Sequence, residues 1–159
     1  MSSNLKKSAE KVQTVLNEFG FKLNVMELSD STRTAQEAAN TIGCTVSQIA
    51  KSLIFKGKTS KKPILIVACG TNRVNEKAIQ EYIGEKLEKA DADFVLEHTG
   101  FTIGGIPPIG HKNPITTFID EDLMQCDEIW AAAGTPNAVF KLTPKILSEI
   151  TKGNIISVK

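Results

Sequence analysis

Apolar positions recur along the chain with two different periods. Leu5, Val12, Leu16 and Phe19 follow helical spacing and Gly20 stands where a left-handed cap belongs, which predicts an amphipathic helix over residues 4–19. Residues 22–28, KLNVMEL, read as a strand before the polar turn Ser29-Asp30-Ser31. Thr34 with Glu37, and Thr45 with Gln48, have the spacing of a capping box, in which a hydroxyl and a side-chain carbonyl or carboxylate satisfy the free amides of a helix start. Two short helices broken at Gly43 follow from that pattern.

Lys51–Lys56 and Pro63–Cys69 are apolar runs of strand length, and GKTSKK between them makes a hairpin with a basic tip. Asn75 caps a helix running to Ile83, and Asp91 or Asp93 caps another running to His98 ahead of Gly100. A Gly/Pro-rich loop at residues 102–110 precedes a strand at 114–119, a short helix at 120–125 and a strand at 128–133. After the turn Gly134-Thr135-Pro136-Asn137, a strand (138–142), a helix capped by Thr143 with Pro144 in its first turn, and a strand (154–158) close the chain. Some strand neighbours are hairpins and others are separated by helices, so the expected class is α/β with α+β character and a mixed sheet. No repeat, low-complexity stretch or linker divides the chain, and residues 1–159 read as one domain.

The charges narrow the partners. Lys plus Arg number 19 and Asp plus Glu 18, so a net charge of +1 gives no global attraction to nucleic acid or an anionic membrane, and any RNA contact has to be local. The first residues, MSSNLKKSAEKVQ, lack the apolar core of a signal peptide, and no apolar run approaches the ~20 residues that span a bilayer, so a soluble, cytoplasmic protein is expected. Three cysteines without C-x-x-C spacing suggest neither a disulfide framework nor a zinc knuckle. There is no zinc-binding histidine motif and no phosphate-binding G-x-x-x-x-G-K-[ST] loop, so neither a metal nor a nucleotide cofactor is expected.

The stretch richest in chemistry is Thr102-Ile103-Gly104-Gly105-Ile106-Pro107-Pro108-Ile109-Gly110-His111. Adjacent glycines let backbone approach a ligand and expose amides to a developing oxyanion, while adjacent prolines stiffen the wall. Its plain alternative is a rigid surface turn. Lys51 opens an apolar strand and places an ammonium where it can hold phosphate or stabilise acyl-transfer charge, against the alternative of a solvated strand-end lysine. Gly134 and Thr135, after Ile129–Ala133, offer a backbone donor and a hydroxyl at a strand terminus, or simply a β-turn. His111 follows the Gly/Pro loop and can orient water or substrate, with a structural hydrogen bond as the rival. No G-x-S-x-G elbow or histidine-carboxylate-nucleophile pattern appears, so no side-chain nucleophile is assigned.

Ala50-Lys51-Ser52-Leu53-Ile54-Phe55, then Thr99-Gly100-Phe101-Thr102-Ile103-Gly104-Gly105-Ile106-Pro107-Pro108-Ile109-Gly110, then Ala133-Gly134, resemble in order and separation the YbaK/ProX family of aminoacyl-tRNA deacylases. That family includes the insertion domain of bacterial prolyl-tRNA synthetases, and the likeness spans about residues 20–158. The resemblance implies a mixed, barrel-like sheet flanked by helices and a pocket for the 3′ end of a charged tRNA. It implies hydrolysis, in trans, of the ester of a mischarged tRNA carrying a small amino acid such as alanine, cysteine or serine, on tRNA(Pro) or a related tRNA. It assigns Lys51 to the terminal nucleotide and Gly104, Gly105 and Gly134 to the catalytic backbone, with Ile103, Ile106, Pro107, Pro108, His111 and Thr135 around the substrate. The partners it implies are the tRNA acceptor end and an aminoacyl-tRNA synthetase. Two other readings compete: a non-catalytic module that binds charged tRNA or a synthetase, and a small esterase or thioesterase.

Overall fold

The computed structural model describes residues 7–159. In chain order it contains α1 (Lys7–Glu18), β1 (Val25–Glu27), α2 (Ala35–Ile42), β2 (Ile49–Gly57), β3 (Pro63–Cys69), α3 (Glu76–Ile83), β4 (Leu87–Lys89) and α4 (Ala92–Thr99). These are followed by β5 (Thr116–Asp120), β6 (Ile129–Ala132), β7 (Ala138–Leu142), α5 (Pro144–Thr151) and β8 (Asn154–Ile156). All eight strands join one sheet, ordered β1-β7-β6-β2-β3-β5-β8, with β4 added beside β2. The pairs β2–β6, β3–β5 and β5–β8 are parallel and the others antiparallel, so the sheet is mixed, as expected. Its ladder ends at β1 and β8 rather than closing on itself.

β3 is an inner strand covered on both faces, and its sequence shows why. Residues of a strand point alternately to opposite faces, and here both faces are covered, so the strand is a continuous apolar run rather than an alternating one. Leu65, Val67 and Cys69 pack with Ala9, Val12 and Leu16 of α1 and with Phe101, Ile109 and Phe140. Ile64, Ile66 and Ala68 pack on the other side with Ile79 of α3, Phe118 and Val158. A third, smaller cluster joins Ala38 and Ala39 of α2 to Ile49, and a fourth joins Ala90, Val95 and Ile106.

Several elements are shorter than the sequence pattern suggests. Leu5 and the other residues of the first predicted turn lie outside the described residues. Phe19 falls past the end of α1 and is 43% exposed, so it does not extend the buried stripe of Ala9, Val12 and Leu16. Thr34 caps α2 by accepting from the Glu37 amide at 3.1 Å, but the Glu37 carboxylate turns to the Ser31 hydroxyl at 3.4 Å instead of closing the box. The Thr45/Gln48 box does form, yet it caps only a 3-10 turn, Val46–Gln48, because Ile49 and Ala50 are already paired in β2. The helix at 120–125 is likewise a 3-10 turn, Glu121–Gln125. β4 was not legible at all: three residues, of which only Leu87 is buried, carry no period.

A buried carboxylate ties the ends of the central strands together. Asp120 is wholly buried; it accepts from the Cys69 amide at 2.9 Å, the Asn72 side-chain amide at 2.8 Å and the Asp122 amide at 2.9 Å. Replacing it takes the acceptor from the buried Cys69 amide and from the Asp122 amide, a loss of about 2 kcal/mol. Asp120→Ala is therefore expected to lower the melting temperature by roughly 4–8 °C in a chain of this size. A thermal melt unchanged within error would show that the carboxylate does not fasten β3 to β5.

Candidate active site

The site begins as a gap in the sheet. One edge of β2 pairs with β3 from Ala50 to Lys56. The other pairs with β6 only at Ile49 and Ala50, and with β4 only from Phe55 to Gly57. Between these two short neighbours the edge has no strand partner. The direction of the free groups follows from the ends of the hairpin, where Gly70 donates to the Ile49 carbonyl at 2.8 Å and Gly57 donates to the Lys62 carbonyl at 2.9 Å. Hydrogen-bonded pairs alternate along an antiparallel ladder, so odd residues of β2 turn their backbone polar groups to β3 and even residues turn theirs to the opposite edge. Ala50 meets β6 there and Lys56 meets β4; Ser52, between them, faces the gap. Its hydroxyl oxygen is also buried and has no hydrogen-bond partner. An unsatisfied buried hydroxyl beside an unpaired strand edge is a costly arrangement for a structural core.

That gap opens into a cavity of about 520 Å³, within the range of small-molecule pockets. Its floor is β2 from Ile49 to Phe55. One end is walled by α2 and β6, through Ala35, Ala38, Ile42, Trp130, Ala131 and Ala132; the other by Ala90, Val95 and Ile106. The lining is mostly apolar, and its three charged residues are Arg33, Lys51 and Lys89, with no carboxylate among them. None of the three forms an ion pair among the described residues. An apolar cleft whose only charges are cations suits an anionic ligand with an apolar portion.

Of the residues singled out in the sequence, Lys51, Ile103, Gly104 and Ile106 line this cavity, and Gly105, Pro107, Pro108, His111, Gly134 and Thr135 do not. The latter hold the loop in shape. Gly100 ends α4 in the left-handed region (φ 81°), which turns the chain into the loop, and Lys112 and Asn113 donate back to the Thr99 and His98 carbonyls at 3.0 and 3.3 Å to close its neck. Across the loop, a His111 ring nitrogen lies 2.7 Å from the Pro107 carbonyl. A carbonyl only accepts, so Nε2 carries the proton and the other ring nitrogen is left as the acceptor of the neutral form. Burial pushes the imidazole pKa below its ordinary value, against the opposing pull of the Pro107 carbonyl and with a smaller push from Lys11.

The two glycine motifs meet backbone to backbone. Gly134 (φ 98°) donates to the Gly105 carbonyl at 2.8 Å, and a Cβ on Gly105 would stand 2.7 Å from the Thr135 Cα and carbonyl carbon. A Cβ on Gly134 would in turn stand 2.6 Å from the Ser8 carbonyl of α1. The Gly105 amide donates to the Thr102 carbonyl at 3.3 Å. Of the three glycine amides expected as open donors, those of Gly105 and Gly134 are thus committed inside the protein, whereas that of Gly104 has no acceptor among the described residues and its residue lines the cavity. Thr135 accepts from the Asn137 amide at 3.3 Å, a turn contact. The same turn takes both the amide and the hydroxyl of Thr32 on its Pro136 carbonyl, each at 2.7 Å, so one turn anchors the loop bearing Gly104 and the segment bearing Arg33.

The family profile of the aminoacyl-tRNA editing domain matches residues 29–150, a span that holds every wall of the cavity. The chain belongs to the aminoacyl-tRNA editing domain family. It is 35% identical over 144 residues to the uncharacterised protein YwhH of Bacillus subtilis (strain 168), covering 91% of each chain. It is 25% identical over 131 residues to EbsC of Enterococcus faecalis, a proposed Cys-tRNA(Pro)/Cys-tRNA(Cys) deacylase, covering 82% of this chain and 79% of that one. A crystal structure described as a proposed trans-editing enzyme for prolyl-tRNA synthetase superposes with a TM-score of 0.92 at 44% identity, covering 98% of this chain and 99% of that one. Aminoacyl-tRNA editing is ester hydrolysis, and membership makes this chain a hydrolase of the aminoacyl-tRNA deacylase kind.

Arg33, Ser52 and Lys89 were missed as site residues of this editing domain. Each comes from a different segment, and only the pairing of β2 with β4 and β6 brings them to one cleft, so no spacing in the sequence announces them. The lysine cluster of the β2–β3 hairpin, which the sequence does announce, lies elsewhere: Lys56 and Lys61 pair with Glu88 at 3.7 and 3.5 Å. Among the described residues no group of three His, Cys, Asp or Glu side chains is placed to hold a metal, and no helix is long and apolar enough to cross a membrane.

Two outcomes follow from the loop geometry of this editing domain. Gly105→Ala forces one of two backbones to move, with an expected loss of about 1–3 kcal/mol of stability and a parallel fall in activity, readable in a denaturant titration and a turnover assay on the same sample. For His111 the folded state binds a proton less readily than the unfolded chain. Its stabilising contribution is therefore present above the ordinary value of 6.5 and is lost as pH falls below it. Melting temperature against pH should show a downward limb below that value that flattens in His111→Gln; an identical limb in the variant would assign it to other groups.

Proposed function

We propose that this protein acts in trans, in the cytoplasm, hydrolysing the ester between a small, wrongly attached amino acid and the 3′-terminal ribose of tRNA(Pro) or a related tRNA. The observation that carries the proposal is the cavity: apolar over most of its wall, bounded by cations alone, and floored by an unpaired strand edge beside Lys51. Alanine-rich walls at the α2 and β6 end suit a small side chain. EbsC, by its name, points to cysteine on tRNA(Pro) or tRNA(Cys) and the trans-editing structure to prolyl-tRNA synthetase, so cysteine and the similarly small alanine and serine on tRNA(Pro) are the first to test.

An aminoacyl ester is activated enough that a positioned water and an oxyanion site lower its barrier by several kcal/mol without a side-chain nucleophile. Water attacks the ester carbonyl, the developing oxyanion is met by the Lys51 ammonium and the Gly104 amide, and the ribose oxygen leaves with a proton. Gly105 and Gly134 act one step behind, holding Gly104 against the turn. The Ser52 hydroxyl and main chain offer the remaining polar partners at the cavity floor for the α-amino group or the attacking water. A prolyl-tRNA synthetase is the partner whose errors such an enzyme would correct.

The test is turnover on tRNAs charged with labelled alanine, cysteine, serine, threonine and proline, beside Lys51→Ala. Loss of the oxyanion cation is expected to lower the rate on the preferred substrate by about 100-fold or more. Selectivity among the amino acids is expected to be modest where they differ by one methylene, at about 1–3 kcal/mol. A folded wild-type protein that removes none of them above the spontaneous rate would refute the enzymatic reading in favour of a module that binds charged tRNA.

A further inference from the structure

Arg33 stands at the mouth of the cavity in a position that no fold requirement explains. It follows the buried Thr32, whose amide and hydroxyl fix it to Pro136, and precedes Thr34, the cap of α2, so its backbone is held at both sides. Its side chain runs across the loop: a Cβ on Gly104 would stand 3.5 Å from the Arg33 Cγ and 3.9 Å from its Cδ and Nε. The alkyl stem thus packs over the glycine, which sits in the left-handed region at φ 102° and lines the cavity. The residue is exposed, lines the cavity and has no carboxylate partner among the described residues. A guanidinium held by its stem and unpaired at its head presents a planar fork of donors that matches a phosphate better than an ammonium does.

We propose that Arg33 binds the backbone phosphodiester joining the terminal adenosine to the rest of the CCA end, placing the aminoacyl ester against Lys51 and the Gly104 amide. The inference rests on the editing reading above and adds a division of labour: Lys51 lies on the strand floor next to the ester, whereas Arg33 reaches the nucleotide backbone from the mouth. The chemistry recognised is a single-stranded phosphate monoanion next to a ribose. A tRNA acceptor end supplies that group, and an isolated aminoacyl nucleoside does not.

The distinguishing experiment compares two substrates carrying the same amino acid: the charged tRNA that the wild type prefers, and that amino acid esterified to adenosine with no phosphate. Arg33→Ala is expected to lower kcat/KM on the tRNA by about 10-fold or more, the range of a charge-assisted hydrogen bond, mostly through KM. It is expected to leave the phosphate-free ester within about twofold. Arg33→Lys should recover part of the loss, and the salt dependence of kcat/KM on the tRNA should flatten by about 0.7 in log–log slope in Arg33→Ala, as for one lost contact to a single strand. An equal loss on both substrates, or none on either, would overturn the inference. If the wild type hydrolyses neither, the editing reading fails separately. Binding of a CCA trinucleotide and its methylphosphonate analogue then decides the role of Arg33: wild type and Arg33→Ala binding both equally would end it.

Discussion

The unpaired stretch of β2 is the constraint on which the site depends. A strand nine residues long that pairs fully on one edge and only at its two ends on the other leaves backbone donors and acceptors aimed at an opening. Such groups are normally paired, because an unsatisfied buried amide or carbonyl costs as much as a lost hydrogen bond. Here the neighbours end early, β6 before it can continue past Ala50 and β4 before it can descend past Phe55. Everything else in the site is arranged about that interruption. α2 and the Gly/Pro loop roof it, and the turn at Gly134-Thr135-Pro136-Asn137 holds both roof segments in register through Gly105 and Thr32.

Placing the cations at this opening separates two electrostatic environments in one small protein. At the β2–β3 hairpin the lysines have acidic neighbours: Glu88 takes Lys56 and Lys61, and Glu85 accepts the Thr59 and Ser60 amides, which lowers its pKa below the usual carboxylate value. Such exposed pairs contribute little and fade with salt. In the cavity Arg33, Lys51 and Lys89 have no ion-pair partner among the described residues, and the apolar walls keep the local dielectric low, so an entering anion is met by charge that none of those residues has already neutralised. A net charge of +1 is then no obstacle to recognising a nucleic acid end.

The sequence made the mixed sheet legible because its signals were local: the β2–β3 run, the caps at Asn75, Asp91 and Thr143, and the glycine ending α4 each act within a few residues. Lys51 and Gly104 were legible as site residues for the same reason, being part of contiguous motifs. The function of the second glycine in each motif was not. Gly105 and Gly134 look like exposed donors in the sequence, and only the close approach of two backbones about 30 positions apart in the chain reveals them as packing positions. Arg33 and Lys89 were invisible because their place in the cleft depends on which strands fail to meet, a property of pairing rather than of composition. His111 was open between a chemical and a structural role, and its 2.7 Å contact with Pro107 gives the half-buried ring a structural bond.

The separation between the residues that fasten the loops and those that line the cavity bears on how substrate choice can change. Thr32, Gly105, His111 and Gly134 carry the hydrogen bonds and close contacts that set the shape of the opening, and of these only Thr32 touches the cavity. Ala38, Ile42, Ala131 and Ala132 face the cavity without taking part in that network. Adding or removing a methylene at one of these four alters the room left for an amino-acid side chain by an amount that shifts selectivity about 10–200-fold at most. Lys51 and Gly104, the oxyanion donors we propose, stay where the fastening network puts them. An editing domain built this way can change the size of side chain it accepts through its walls, while the shape of the opening, which fixes where an ester can lie, is held by residues that those changes do not touch.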